Sequence, residues 1–298
     1  MKIGMVGLGK MGANMVRRLV RSGHSVVANA RSAASAALAK ECGAQWAGSI
    51  GELVGRLDPP RVVWLMIPAG APVDAAIAEA SAGMSPGDIL IDGGNSNFRD
   101  SMRRSAALKE KNISFLDSGT SGGVWGLDNG YCLMVGGEEA AWRAVEPILR
   151  ALAPEDGYAR VGPSGSGHFV KMVHNAIEYS MMQALAEGFE FLQSSEFKLD
   201  LPQIAELWRH ASVVRSWLLD LLGDALRKDP GLEKIGAYVE DSGEGRWTLK
   251  EAIDNAVPMP ALADSLFARF RSRQEEPFSS RALAALRNEF GGHAVKPK

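Results

Sequence analysis

Behind the short apolar run Ile3-Gly4-Met5-Val6 the chain reads Gly7-Leu8-Gly9-Lys10-Met11-Gly12, and a helical pattern follows at once. This G-x-G-x-x-G restricts the possible folds more than any other stretch. The first glycine makes a tight turn, the second lets backbone approach a pyrophosphate, and the third lets helix and strand pack closely, with the helix N-terminus facing the anion. Glycine-rich turns are common, so the motif counts because of its setting between a strand and a helix. Gly7, Leu8, Gly9, Lys10, Met11 and Gly12 are therefore expected to line a dinucleotide site.

The alternation continues through the first half. Candidate strands at residues 2–6, 25–29, 62–67, 89–92, 114–117 and 131–135 are separated by polar, Ala-rich or Arg-rich stretches that read as crossover helices. The turn-rich Gly162-Pro163-Ser164-Gly165-Ser166-Gly167 ends the pattern. From His168 to about Ser194 there is no proline, and Phe169, Val173, Ile177, Met181, Leu185, Phe189 and Leu192 fall near one face as an apolar stripe. Thr248-x-x-Glu251 offers a capping box for a later helix. No strand is expected after residue 164. The expected fold is an α/β Rossmann-type N-terminal domain over residues 1–163 and an all-α C-terminal domain over 164–298.

Composition narrows the partners. A formal net charge of -2 supplies no basic field for nucleic acid or an anionic membrane, so an acidic substrate has to be gripped by local basic residues. No apolar run approaches a membrane span, and the chain opens on a strand rather than a targeting segment, so a cytoplasmic protein is expected. Cys42 and Cys132 form no C-x-x-C pair, and His24 and His210 stand in no ligand spacing, so no metal is expected.

NAD binding usually needs an Asp or Glu at the end of the second strand, bonded to the ribose hydroxyls. Between Gly12 and Glu41 there is no acidic residue, and the second strand ends Ala28-Asn29-Ala30-Arg31-Ser32. Arg31 and Ser32 suit a 2′-phosphate through charge-assisted hydrogen bonds. NADP is the expected cofactor, with NAD possible because Asn29 can still bond a free hydroxyl.

Two Gly-rich turns follow strands, Gly93-Gly94-Asn95-Ser96 and Ser121-Gly122-Gly123, where the ligand crevice of an open α/β sheet lies. In the long helical stretch, Lys171, His174, Asn175 and Glu178 share one face within about 100°. By spacing alone this face is either a solvated side or a polar site.

Taken in order, Gly7-x-Gly9-x-x-Gly12, Gly93-Gly94-Asn95-Ser96, Ser121-Gly122-Gly123 and Gly167-His168-x-x-Lys171-x-x-His174-Asn175-x-x-Glu178-Tyr179 resemble 6-phosphogluconate dehydrogenase in its short bacterial form. Ser242-Gly243-Glu244-Gly245-Arg246-Trp247-Thr248 and the ending Arg287-Asn288-Glu289-Phe290-Gly291-Gly292-His293 are similar to later segments of that family. The resemblance implies oxidative decarboxylation of 6-phosphogluconate to ribulose 5-phosphate, with Lys171 as base and Glu178 as acid. It further implies that Asn95, Ser121, Gly122, Gly123, His174 and Asn175 position the sugar acid, with Asn95 near the cofactor as well. Tyr179, Arg269, Arg287 and His293 would hold the phosphate end. The helical part would be a substrate and dimerisation domain, in a homodimer or homotetramer whose C-terminal tail reaches the neighbouring subunit. Ser242 and Glu244 depart from the pattern, standing where the long form has lysine and threonine phosphate contacts. Two other readings stay open: a dehydrogenase of an unphosphorylated aldonate or other 3-hydroxy acid, and a non-catalytic, dinucleotide-sensing binding protein.

Overall fold

The computed structural model describes residues 1–32 and 34–297. Among them, eight strands form one sheet: β1 Lys2–Val6, β2 Ser25–Asn29, β3 Gln45–Trp46, β4 Val62–Leu65, β5 Ile89–Asp92, β6 Ser114–Ser121, β7 Cys132–Gly136 and β8 Tyr158–Gly162. The helices are α1 Lys10–Arg21, α2 Ser35–Glu41, α3 Ile50–Gly55, α4 Ala71–Gly83, α5 Phe98–Lys109, α6 Gly126–Asn129, α7 Glu139–Leu152, α8 Ser166–Gln193, α9 Leu201–Trp208, α10 Trp217–Lys228, α11 Glu244–Asp254, α12 Pro260–Ser272 and α13 Phe278–Gly291. The chain divides into two compact units, Met1–His174 and Asn175–Lys298. Among the described residues, no helix is long and apolar enough to cross a membrane.

In the first unit the strand order is β3-β2-β1-β4-β5-β6-β7-β8, parallel throughout except for the antiparallel pair β6 and β7. The β1–β4 neighbours are the point where the order reverses, and the glycine loop leaves β1 there. Val62–Leu65 and Ile89–Asp92 are buried at every position, as strands covered on both faces must be. One face packs Ile3, Met5, Trp64 and Ile91 with Met15, Val16 and Leu19 of α1 and Val145, Ile148 and Leu149 of α7. The other packs Val63, Leu65 and Leu90 with Leu53 of α3 and Val73, Ala76 and Ala80 of α4.

In the second unit Phe189 of α8 packs with Leu201 and Ala205 of α9 and Leu219 and Leu226 of α10. A smaller cluster joins Ala176 and Tyr179 to Leu262 and Leu266 of α12. Asp200 and Ser216 cap α9 and α10 by accepting the N–H groups of Gln203 and Leu219 at 3.0 and 3.1 Å.

Three expectations change. The proposed capping box at Thr248 is not a helix start: α11 begins at Glu244 behind Gly243, whose φ is +101°, and Thr248 Oγ1 donates to the Glu244 carbonyl 2.8 Å away. Strand β6 runs on to Ser121, through residues that read as a loop. On α8 the buried face carries His168, Lys171, Met172, Asn175, Ala176 and Tyr179, while Phe169, Ile177 and Met181 of the apolar stripe are exposed.

Candidate active site

The glycine loop has the geometry its spacing asks for. Gly7 sits at φ +104°, and a Cβ there would lie 2.2 Å from the Met66 carbonyl oxygen; one on Gly12 would lie 2.1 Å from the Gly7 carbonyl oxygen. The loop therefore lies against β4 and against the start of α1 without room for a side chain. A Cβ at Gly9, by contrast, would meet no described atom within 4 Å, so this face of the loop is open to a ligand. It opens on a cavity of about 650 Å³ lined by Gly7, Leu8, Gly9, Asn29, Arg31, Ser32, Ser49, Met66, Ile67 and Glu79, among others. The size and the lining fit the adenosine half of a dinucleotide.

Asn29, Arg31 and Ser32 thus come together, as expected. Asn29 is buried, and its Nδ2 donates to the Ala47 carbonyl at 2.9 Å. Arg31 is exposed at the cavity edge. Glu79, on α4, also lines the cavity while accepting the Gly51 N–H at 3.1 Å; nothing in its sequence setting marked it.

The turn after β5 is held from beneath. Asp92 is fully buried; its Oδ1 accepts the Gly94 N–H at 3.1 Å and its Oδ2 the Ser96 hydroxyl at 2.7 Å. Arg104, 2% exposed, reaches Asp92 at 3.2 Å, Ser96 at 3.2 Å and Asp74 at 2.9 Å. Every charge in this network has a partner, as burial requires. Hydrogen bonds from Arg104 and then Arg103 hold the Asp74 carboxyl below the ordinary carboxylate range. Asn95 stands exposed at the tip of the turn so fixed.

The Ser121-Gly122-Gly123 turn rests on Tyr131, whose ring would lie 3.3 Å from a Cβ on Gly122. Burial pushes the Tyr131 phenol up to about 12. Beyond this turn, Ser121 Oγ is 3.4 Å from His174 Nε2, and His174 Nδ1 is 3.4 Å from Lys171 Nζ. Lys171 is 6% exposed. Helix α8 therefore presents an amine and an imidazole in line with a hydroxyl from the end of β6, and the burial of Lys171 rules out a solvated face.

In the second unit Asn175 and Tyr179 are buried and Glu178 is half-buried on the continuation of α8. The Tyr179 hydroxyl lies 3.1 Å from Ser242 Oγ and accepts the Ser242 N–H at 3.0 Å. The Arg269 guanidinium stacks 3.6 Å from the Tyr179 ring centre and donates to the Glu240 carbonyl at 2.7 Å. Asp241 ties the same loop to Arg246 and Arg273, both at 2.6 Å, and these hydrogen bonds, Arg246 first, hold its carboxyl down at about 2. Glu244 is buried in the first turn of α11. Tyr179 and Arg269 are thus brought together. Arg287 and His293 lie exposed on α13 and the segment after it, with the His293 N–H donating to the Arg287 carbonyl at 3.4 Å.

Comparison with known proteins agrees with this layout. Residues 2–162 match the family model described as the NAD binding domain of 6-phosphogluconate dehydrogenase, and residues 167–290 match its 6-phosphogluconate dehydrogenase C-terminal domain. A Bacillus subtilis protein provisionally named 6-phosphogluconate dehydrogenase is 45% identical over 298 residues, the full length of both chains. The NAD(+)-dependent, decarboxylating 6-phosphogluconate dehydrogenase of Haloferax volcanii is 43% identical over 300 residues, covering 100% of this chain and 99% of its own. The solved structure of Plasmodium falciparum 6-phosphogluconate dehydrogenase, whose cofactor is NADP+, superposes with a TM-score of 0.84 at 28% identity, covering 100% of this chain and 67% of the longer one.

Proposed function

The chain belongs to the 6-phosphogluconate dehydrogenase family, and on that premise we propose that it converts 6-phosphogluconate to ribulose 5-phosphate and CO2, using NADP with NAD as a second acceptor. It is an oxidoreductase of that family. The observation that most supports the finer reading is the burial of Lys171 beside His174 and Ser121.

In this reading Lys171 Nζ takes the proton of the substrate 3-hydroxyl. A dinucleotide held through its pyrophosphate at the glycine loop would supply, in its nicotinamide, the acceptor for the C3 hydride. Lys171, now an ammonium, donates to the 3-keto oxygen, so the β-carbonyl can take the electrons released as the C1 carboxylate leaves as CO2. Glu178, seven residues further along α8, protonates C1 of the resulting enediol. In a neutral His174 ring, an Nδ1 that accepts from the ammonium leaves the ring proton on Nε2, facing Ser121. Asn95, Ser121, Gly122, Gly123, His174 and Asn175 would position the sugar acid; Tyr179, Arg269, Arg287 and His293 would take the phosphate. The assembly would be a homodimer or homotetramer in the cytoplasm, with residues 164–298 supplying substrate and dimer contacts.

One observation favours a second reading. Ser242 in the loop at Tyr179 is followed by Glu244 in the first turn of α11, and a carboxyl beside a phosphate is unfavourable. An unphosphorylated aldonate would meet no such conflict. Initial rates with 6-phosphogluconate and gluconate, each with NADP and NAD, decide between them. Turnover that depends on the 6-phosphate supports the first reading; equal turnover of gluconate rejects it.

A further inference from the structure

Strand β6 meets helix α8 with every second residue. Asp117, Gly119 and Ser121 face, in turn, the residues at the start of the helix, Lys171, and His174. Asp117 is fully buried, its Oδ1 accepting the Gly165 N–H at 2.6 Å and its Oδ2 the His168 N–H at 2.9 Å. The first N–H groups of a helix have no partner within it, and the residue preceding the first turn usually supplies one from its own side chain. Here that residue is Gly165, which has none. The cap comes instead from a strand 48 residues earlier in the chain.

The origin of the cap has a mechanical consequence. A local cap would fix only the end of the helix, whereas a cap from β6 fixes where the helix starts on β6. Two residues along the strand that placement becomes critical, because a Cβ on Gly119 would lie 2.3 Å from Lys171 Cβ and 2.8 Å from the Gly167 carbonyl oxygen. The stem of Lys171 lies directly on strand backbone.

We propose that Asp117 is a positioning residue for Lys171: by capping α8 from β6 it seats the helix so that the Lys171 amine stands at His174 and the substrate. The proposal rests on the reading of Lys171 as the base, and the test separates the two. Asp117→Asn keeps the shape but turns an NH2 group toward one of the two backbone donors. Gly119→Ala leaves the cap in place and displaces the lysine stem directly. Lys171→Met serves as the reference. In the full-length enzyme, kcat is measured per site, with folded sites counted by titration with NADPH fluorescence.

Asp117→Asn and Gly119→Ala are each expected to lower kcat per site roughly 10- to 100-fold, the scale of a displacement of about 1 Å at a reacting group. NADPH affinity should stay unchanged, and substrate KM should move less than kcat. A purely structural role would reduce the number of folded sites and leave kcat per site intact; that result for Asp117→Asn, beside an inactive Lys171→Met, overturns the positioning role alone. Where Asp117→Asn does not fold, wild-type kcat in Gly119→Ala overturns it equally. Full activity in Lys171→Met removes the base itself, and this proposal with it.

Discussion

Cofactor choice turns on two side chains at the end of β2. Asn29 donates one amide hydrogen to Ala47 and keeps Oδ1 as an acceptor, whereas Arg31 offers charge at the cavity edge. Arg31→Ala should therefore weaken use of NADP far more than NAD, by roughly 10- to 150-fold in kcat/KM for the loss of one charge-assisted hydrogen bond. Equal loss with both cofactors, or a strong wild-type preference for NAD, would reject this assignment. At the chemical centre, Lys171→Met should abolish reduction of the cofactor while leaving its binding intact. Glu178→Gln should chiefly slow proton delivery to C1, read as lost solvent exchange at that carbon; unimpaired exchange would count against the acid role. The groups that would touch ligand were legible because their chemistry is unusual for a helix or a turn: a lysine, a histidine and an asparagine within five residues. Those that hold them were not. Nothing in the sequence distinguishes buried Arg104 from exposed Arg103, or marks Asp117 as the cap of a helix far along the chain, since both roles arise from tertiary contacts.

At the scale of elements, legibility followed length and apolar character. The strands β1, β2, β4 and β5 were readable as apolar runs, while β3 has two residues and β8 carries the polar Arg160, so each depends on its neighbours rather than on its own pattern. The start of α11 is hidden in the sequence because Gly243, not a hydroxyl or carboxyl side chain, precedes it; the helix is held instead by Asp241, outside it, bonded to Arg246 within it and to Arg273 after α12. This pairing predicts a pH dependence. The Asp241 carboxyl sits at about 2 when folded, against an ordinary value of 3.8. Its contribution is therefore fully present above pH 4 and is lost as pH falls from 4 toward 2. Asp241→Asn should cost roughly 1–2 kcal/mol at neutral pH, discounted because Arg246 is half exposed. Thermal unfolding of the two proteins should converge as pH approaches 2. A difference that stays constant from pH 7 to 2 would show that the charge is not what stabilises the loop.

At the scale of the whole molecule, the apolar residues left uncovered carry the argument. Among the described residues, none on α13 is buried, and Phe278, Leu283, Leu286 and Phe290 are each more than 60% exposed. Phe169, Ile177 and Met181 on α8 are exposed as well. Apolar side chains exposed in such number along one helix are where a second copy of the chain would pack in a homo-oligomer. A frayed end would be the ordinary fate of the last residues, but α13 is a regular helix closed by a left-handed Gly292, with the tail bonded back at His293. The prediction is that Arg287 and His293 serve the substrate site of a neighbouring chain. Chains carrying Lys171→Ala and chains carrying Arg287→Ala, each inactive alone, are co-expressed in equal amounts. If the site is shared, a mixed dimer holds one doubly damaged site and one intact site. Half the dimers being mixed, random pairing should restore roughly a quarter of wild-type activity. If Arg287 served its own chain, every site in the mixture would carry one lesion. Mixed dimers shown to be present, yet without activity, would then place the tail in its own chain's site.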